Sequence, residues 1–367
     1  MLADVTRFTL GEQHSVILKE DGSVWSSGVN LRGDFDPLRG VSNHFVQVIA
    51  DEAMAAAAGN DFSFVIKQDD SVWAVGRNNK GQLGDGTRKR KDRFCFVQLI
   101  PGARDVAAGG YHTMVLTQNG QVWITGWNKY GQLGDGHVTP FRTQFFLTIP
   151  NGAKAVAAGD AHSVLLRQDG SVWATGRNNN GQLGDGSKTD SGSFMRVLRG
   201  GVVTIAAGGY HTMALKQDGS VWATGWNRYG QLGDFSIKEQ IAYVMVFPAE
   251  AKAITGGSRH SMVLREDGSL WATGYNKQNQ LGGGSKANSR GYVQTIPGWV
   301  ETVDAGGFHS MVLGKDGSIW ATGSNEYGQF GNGLTTSGSR FAKLSPFSTG
   351  VAHNICIVPS ICLHMQI

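Results

Sequence analysis

The stretch His112-Thr113-Met114-Val115-Leu116-Thr117-Gln118-Asn119-Gly120-Gln121-Val122-Trp123 decides how this chain folds. On both sides of Asn119-Gly120 the residues favour strands, with a period of two and no helical spacing. Asn-Gly between such runs is a strong hairpin signal, because both residues tolerate the positive φ of a type I′ turn. Two antiparallel strands are therefore expected, the second carrying Val122-Trp123.

The same unit recurs along the chain. Trp25, Trp73, Trp123, Trp173, Trp222, Trp271 and Trp320 follow one another at spacings of 48, 50, 50, 49, 49 and 49. The turns before them are Asp21-Gly22, Asp69-Asp70, Asn119-Gly120, Asp169-Gly170, Asp218-Gly219, Asp267-Gly268 and Asp316-Gly317. Each unit opens on an apolar stretch ending in glycine (Gly11, Gly59, Gly109, Gly159, Gly208, Gly256, Gly306), usually with His shortly after. It closes on a Gly-Gln-Leu-Gly loop and a strand such as Phe96-Val97-Gln98-Leu99-Ile100. Four short strands per unit make one propeller blade. A blade cannot bury its own faces, so blades stack and the ring closes. The expected fold is all-β: a seven-bladed β-propeller, four antiparallel strands per blade, forming one domain over residues 1–347. The recurring Trp is read as inter-blade core, its indole N–H reaching a carbonyl. Residues 348–367 do not match the unit and form a tail, with Pro359 favouring an edge or irregular path.

The string Gly126-Trp127-Asn128-Lys129-Tyr130-Gly131-Gln132-Leu133-Gly134-Asp135-Gly136, preceded by Gly110-Tyr111-His112-Thr113, closely resembles the regulator of chromosome condensation repeat. Near copies run over Gly176–Gly186 and Gly225–Asp234. Weaker ones are Gly274–Gly284, with Asn279 in place of Gly, and Gly323–Gly333, with Phe330 and Asn332. Blade one departs most, with Gly33-Asp34-Phe35-Asp36 at its loop. The resemblance covers residues 4–346 and implies the propeller. It also implies closure by a blade shared between the chain ends, for which Val351–Ile367 is a candidate strand. Function is left open, because relatives include Ran-type exchange factors, ubiquitin-ligase modules, a plant ultraviolet-B photoreceptor and bacterial β-lactamase inhibitors.

Composition narrows the field. Hydrophobic residues make up 40% and charged residues 17% of the 367, which suits a folded chain with much buried surface. The 53 glycines against 8 prolines fit many tight turns. A net charge of +4 gives no reason to expect direct nucleic-acid binding. Cys95, Cys356 and Cys362 are no disulfide framework. With no export signal at the start and no run long enough to span a bilayer, the expectation is an intracellular protein, cytoplasmic or nuclear, without a membrane partner.

Candidate chemistry falls into four sets. His14, His112, His162, His211, His260 and His309 recur at one position, with Phe62 in the second blade, so they are read as structural rather than metal-binding. Asp85, Asp135, Asp185 and Asp234 are read as loop-fixing acceptors, not paired acid–base groups. Arg88-Lys89-Arg90-Lys91-Asp92-Arg93 is a basic run, read as a solvated loop or an anion-facing one. The fourth set occupies variable positions in two loops of each blade: Arg77, Tyr111, Trp127, Tyr130, Arg177, Tyr210, Trp226, Tyr229, Arg259, Tyr275, Phe308 and Tyr327. Aromatics and Arg are the residue types of binding hot spots. The family resemblance implies that these loops share one face of the disc. The competing reading is that Tyr130 and Tyr229 pack over neighbouring blades.

No catalytic set accompanies these residues, and no cofactor is implied, so the expected function is a protein-binding scaffold or regulator, not an enzyme. It is expected to be a monomer or weak homodimer. The resemblance offers alternatives. An exchange factor for a small GTPase would insert an added hairpin, for which the spacings leave little room. A photoreceptor would carry Trp where Gly209, Ser258 and Gly307 stand, with only Arg259-His260 kept. A secreted enzyme inhibitor would need an export signal.

Overall fold

The structure, a computed structural model, describes residues 5–29 and 41–344. Val5–Leu10, His14–Lys19, Val24–Val29 and Val41–Ile49 form an antiparallel sheet in sequence order, and six more four-stranded sheets repeat it. Blades one to seven span 5–49, 53–99, 103–149, 153–198, 202–247, 251–296 and 300–343. No helix occurs among the described residues. The first strand of each blade lines a central channel of about 450 Å³. Residues 345–367, including the candidate closing strand, lie outside the described residues. Blades one and seven are each complete without them, so neither is shared between the ends.

The recurring Trp does fill the wedge between sheets. Trp123 packs against a cluster that includes Phe64, Ile66 and Leu83 of blade two, and Trp320 against one that includes Met262, Leu264 and Leu270 of blade six. Trp25 packs against a cluster that joins Phe8, Leu10 and Ile17 of blade one to Met311, Ile319 and Phe330 of blade seven, which closes the ring. The indole partner is not a carbonyl. In six blades Nε1 donates to the hydroxyl of the Ser two residues earlier, at 2.8–3.1 Å. Blade three has Gln121 there, and Trp123 Nε1 is buried without a partner.

The hairpin turns also differ from expectation. Only their second residue has positive φ, such as Gly120 at 77° and Asp70 at 64°. The bond from Gly120 N–H to the Thr117 carbonyl closes a three-residue loop with a glycine bulge. The Asp at the first position accepts the N–H two residues on, as Asp21 does from Ser23 at 2.9 Å, which holds it at negative φ.

In blade six the glycine that meets the His ring is Gly257, one residue beyond Gly256. A Cβ on Gly257 would lie 2.3 Å from His260 Cε1.

Candidate functional site

Two loops of each blade emerge on one face of the disc: the Gly-x-x-His connection and the Gly-Gln-Leu-Gly loop. They are tied together, for example by the Trp127 N–H donating to the Tyr111 carbonyl at 2.9 Å. The Asp-Gly turns lie on the other face, where they meet the inter-blade connections (Ala153 N–H to Gly120 O, 3.1 Å).

The histidines are bolts between blades. His112 Nε2 lies 2.8 Å from Ser163 Oγ, and Ser163 donates to the Gln132 carbonyl at 2.7 Å. The serine proton is thus spent on the carbonyl, which places the imidazole proton on Nε2. The imidazole–hydroxyl contact repeats from His14 to Ser63, His162 to Thr212, His211 to Ser261, His260 to Ser310 and, across the closure, His309 to Ser15. Burial drives these imidazoles down to about 3 or 4. No group of three or more metal-ligating side chains converges among the described residues.

The loop aspartates serve the scaffold. Asp135 accepts from Asn128, from the His137 N–H and from Arg142. Asp85 does the same with Asn78, Thr87 and Lys91, Asp185 with Asn178 and Ser187, and Asp234 with Asn227, Ser236 and Gln240. The basic run is partly engaged: Arg88 stacks on Phe141 at 4.4 Å, Arg90 pairs with Asp92, and Lys91 pairs with Asp85.

Eleven of the twelve aromatic and Arg candidates form one unbroken arc. Arg77 lies over Tyr111 (5.3 Å), Tyr111 against Trp127 (5.5 Å), and Trp127 against Tyr130 (5.1 Å). Arg177 bridges Tyr130 (5.0 Å) to Tyr210 (5.9 Å), and Tyr210, Trp226 and Tyr229 follow at 5.7 and 5.3 Å. Tyr229 meets Tyr275 at 4.9 Å, and Tyr275 meets Phe308 at 6.1 Å. Arg259 stands within 6 Å of Trp226, Tyr229, Tyr275 and Phe308. Each ring pair contributes about 0.5–1.5 kcal/mol and each Arg–ring contact roughly 0.5–1, so the arc is preorganised. Its members are half-buried. Tyr130 and Tyr229 do pack across to the next blade, under Arg177 and against Tyr275. Tyr327 stands apart from the arc at 37% exposure.

The arc borders the channel mouth, where sequence reading did not anticipate an acidic cluster. Glu12, Asn60 and Asp160 line the channel, and Asp61 pairs with Arg77 at 3.1 Å. Burial pushes the Asp160 carboxyl up, opposed by Tyr210, Asn60, Arg259 and Arg177. Glu12 is also raised, by burial and then by Asp61 and Asp160. The Tyr210 phenol rises to about 12 through burial and the neighbouring Asp160 carboxylate. A sequence signal existed: glycine fills the residue after the repeated Gly in blades three, five and seven, whereas Glu12, Asn60, Asp160 and Ser258 occupy it in blades one, two, four and six. A Cβ on Gly307 would lie 2.8 Å from Glu12 Cγ, and one on Gly110 3.2 Å from Asn60 Nδ2, so these glycines make room for the acidic mouth.

Seven blades of four strands, bolted by His and Trp around a narrow channel, define a β-propeller. Residues 95–360 match the RCC1-like domain, and residues 55–82 and 69–116 match regulator of chromosome condensation (RCC1) repeats. The chain belongs to the RCC1-like domain family. Human WBSCR16 is similar in structure (TM-score 0.76, 22% identity, 84% of this chain and 85% of that one). So is Prp20p from Saccharomyces cerevisiae (0.72, 21%, 85% and 84%), whose structure was reported with its binding properties to Gsp1p and histones. Yeast RCC1 (Prp20) bound by Kap60 aligns at 0.73 with 19% identity over 88% and 81%. These likenesses establish the fold. No curated protein matches the sequence. No helix among the described residues is long and apolar enough to cross a membrane.

Proposed function

We propose that this protein is an intracellular protein-binding propeller whose partner docks on the aromatic–arginine arc. The observation that carries this is the arc itself. Eleven half-buried side chains at positions the repeat leaves free join into one preorganised surface, and such surfaces concentrate binding energy. The acidic channel mouth beside it gives the face both signs of charge, which favours one orientation of the partner. The test compares quantitative capture from lysate by the wild type and by a folded Trp127→Ala/Trp226→Ala variant, followed by reconstitution of any differential hit from purified components. A partner lost by at least tenfold in the variant supports the arc. Equal capture assigns these rings to scaffold.

A second reading, nucleotide exchange on a small GTPase, is favoured by family membership and by the likeness to Prp20p. Against it, no blade carries an additional hairpin among the described residues. Unchanged nucleotide release from the GTPases of the source cell would dismiss it.

A further inference from the structure

We infer that the loop tips of blades five and six form a docking surface for an anionic lipid bilayer. The observation that singles them out is Phe235. In blades two, three, four, six and seven the same loop position is glycine with positive φ (Gly86, Gly136, Gly186, Gly284, Gly333). Phe235 adopts that left-handed conformation at φ 64° with a bulky side chain, which disfavours the fold locally. The ring returns little packing: it rests on the backbone of Gly291 and is otherwise 81% exposed. Ile237, two residues on, is 50% exposed. Strain kept for an exposed aromatic points to use outside the fold.

Charge identifies the occupant. Arg228, Lys238, Lys277, Lys286 and Arg290 lie on these same loops of blades five and six, all exposed, and the Phe235 N–H donates to the Arg290 carbonyl at 2.8 Å. None forms an ion pair among the described residues. The carboxylates of these two loops are already committed, Asp234 to its own loop and Glu239 to Lys188. One exposed aromatic and one branched aliphatic side chain, on loops that carry five exposed cations without ion pairs, match a bilayer interface. The apolar pair enters the headgroup boundary while Lys and Arg meet anionic headgroups, and no partner pocket is required. Such surface contact needs no spanning segment, so the lack of one in the sequence does not bear on it.

The test uses the full chain in sedimentation with two vesicle types, phosphatidylcholine alone and phosphatidylcholine with about a third phosphatidylserine. Binding is expected only to the second, and is expected to collapse in high salt. Each cation near the surface contributes about fivefold, so Lys238→Gln/Lys286→Gln should weaken partitioning roughly 25-fold. Phe235→Gly/Ile237→Ser should weaken it at least tenfold. This variant restores the glycine of the other blades, so folding is expected to survive, and circular dichroism checks it. Trp127→Ala/Trp226→Ala should bind vesicles like the wild type, which separates this surface from the arc. Failure to bind phosphatidylserine vesicles, equal binding to both vesicle types, or unaltered binding by the tip variant overturns the proposal. If neither form binds vesicles but the tip variant loses a captured protein, the occupant is a protein pocket instead.

Discussion

Replacing His309 by Phe should weaken the protein at neutral pH and strengthen it in mild acid. His309 is fully buried, bonds Ser15 across the seam between blades seven and one, and is held down to about 3 by burial and by the neighbouring His14 and His260. Its ordinary value is 6.5, so the native pKa is depressed. The unfolded chain therefore binds a proton that the native state refuses. Stability is present above pH 6.5 and is lost as pH falls from there toward about 3. At pH 5 the loss from this one group is about 2 kcal/mol. In His309→Phe that loss disappears. The variant instead forfeits one hydrogen bond, about 1 kcal/mol, while Ser15 keeps its bond to the Gln329 carbonyl at 2.7 Å. A phenyl ring fits such a site, because Phe62 already occupies the equivalent one beneath Gly59. The raised carboxyls of Glu12, Asp160 and Asp304 act in the opposite sense, but equally in both proteins, and cancel in the comparison. Urea midpoints at pH 7.5 and pH 5 are the assay. The variant should be less stable by roughly 1 kcal/mol at the first and more stable by roughly 1 kcal/mol at the second. An equal deficit at both pH values would refute the claim that the imidazole is held neutral.

Other outcomes follow from the same geometry. Gln121→Ser should give Trp123 Nε1 the hydroxyl its six counterparts have, raising stability by about 1 kcal/mol in thermal or urea unfolding. Phe235→Gly should raise stability by up to about 1 kcal/mol, since relief of left-handed strain exceeds the packing lost by a ring this exposed; a lowered midpoint would mean the ring serves the fold. Gly126→Ala should cost about 3 kcal/mol, because φ is 108° and the new Cβ would lie 2.5 Å from the Tyr111 carbonyl oxygen.

Much of this was legible in the sequence because repetition separates what the fold demands from what it permits. Trp73 and His162 recur because every blade boundary uses a wedge and six of the seven use a bolt. Trp127 and Arg259 stood out because no single residue type is kept at their positions from blade to blade. The turns misled because Asp-Gly serves both a two-residue and a three-residue loop, and only the side-chain bond from Asp to the following N–H decides. The indole partner was missed because Ser71 lies on the strand itself, where a sequence shows a small polar residue but not its reach. Glu12 and Asp160 were opaque for a different reason. They are variable like the arc residues, and only ring geometry turns them inward to line one channel.

Blades seven and one meet through the devices that recur around the ring: a His–hydroxyl bolt, a Trp in the wedge and a main-chain bond, here from Gly307 N–H to the Gly11 carbonyl at 3.0 Å. The closure is therefore written in side chains and not in the order of the polypeptide. Because no blade is shared, the described ring has no privileged starting point. A chain opened at another inter-blade connection and joined across this seam would present every blade with the neighbours it has now.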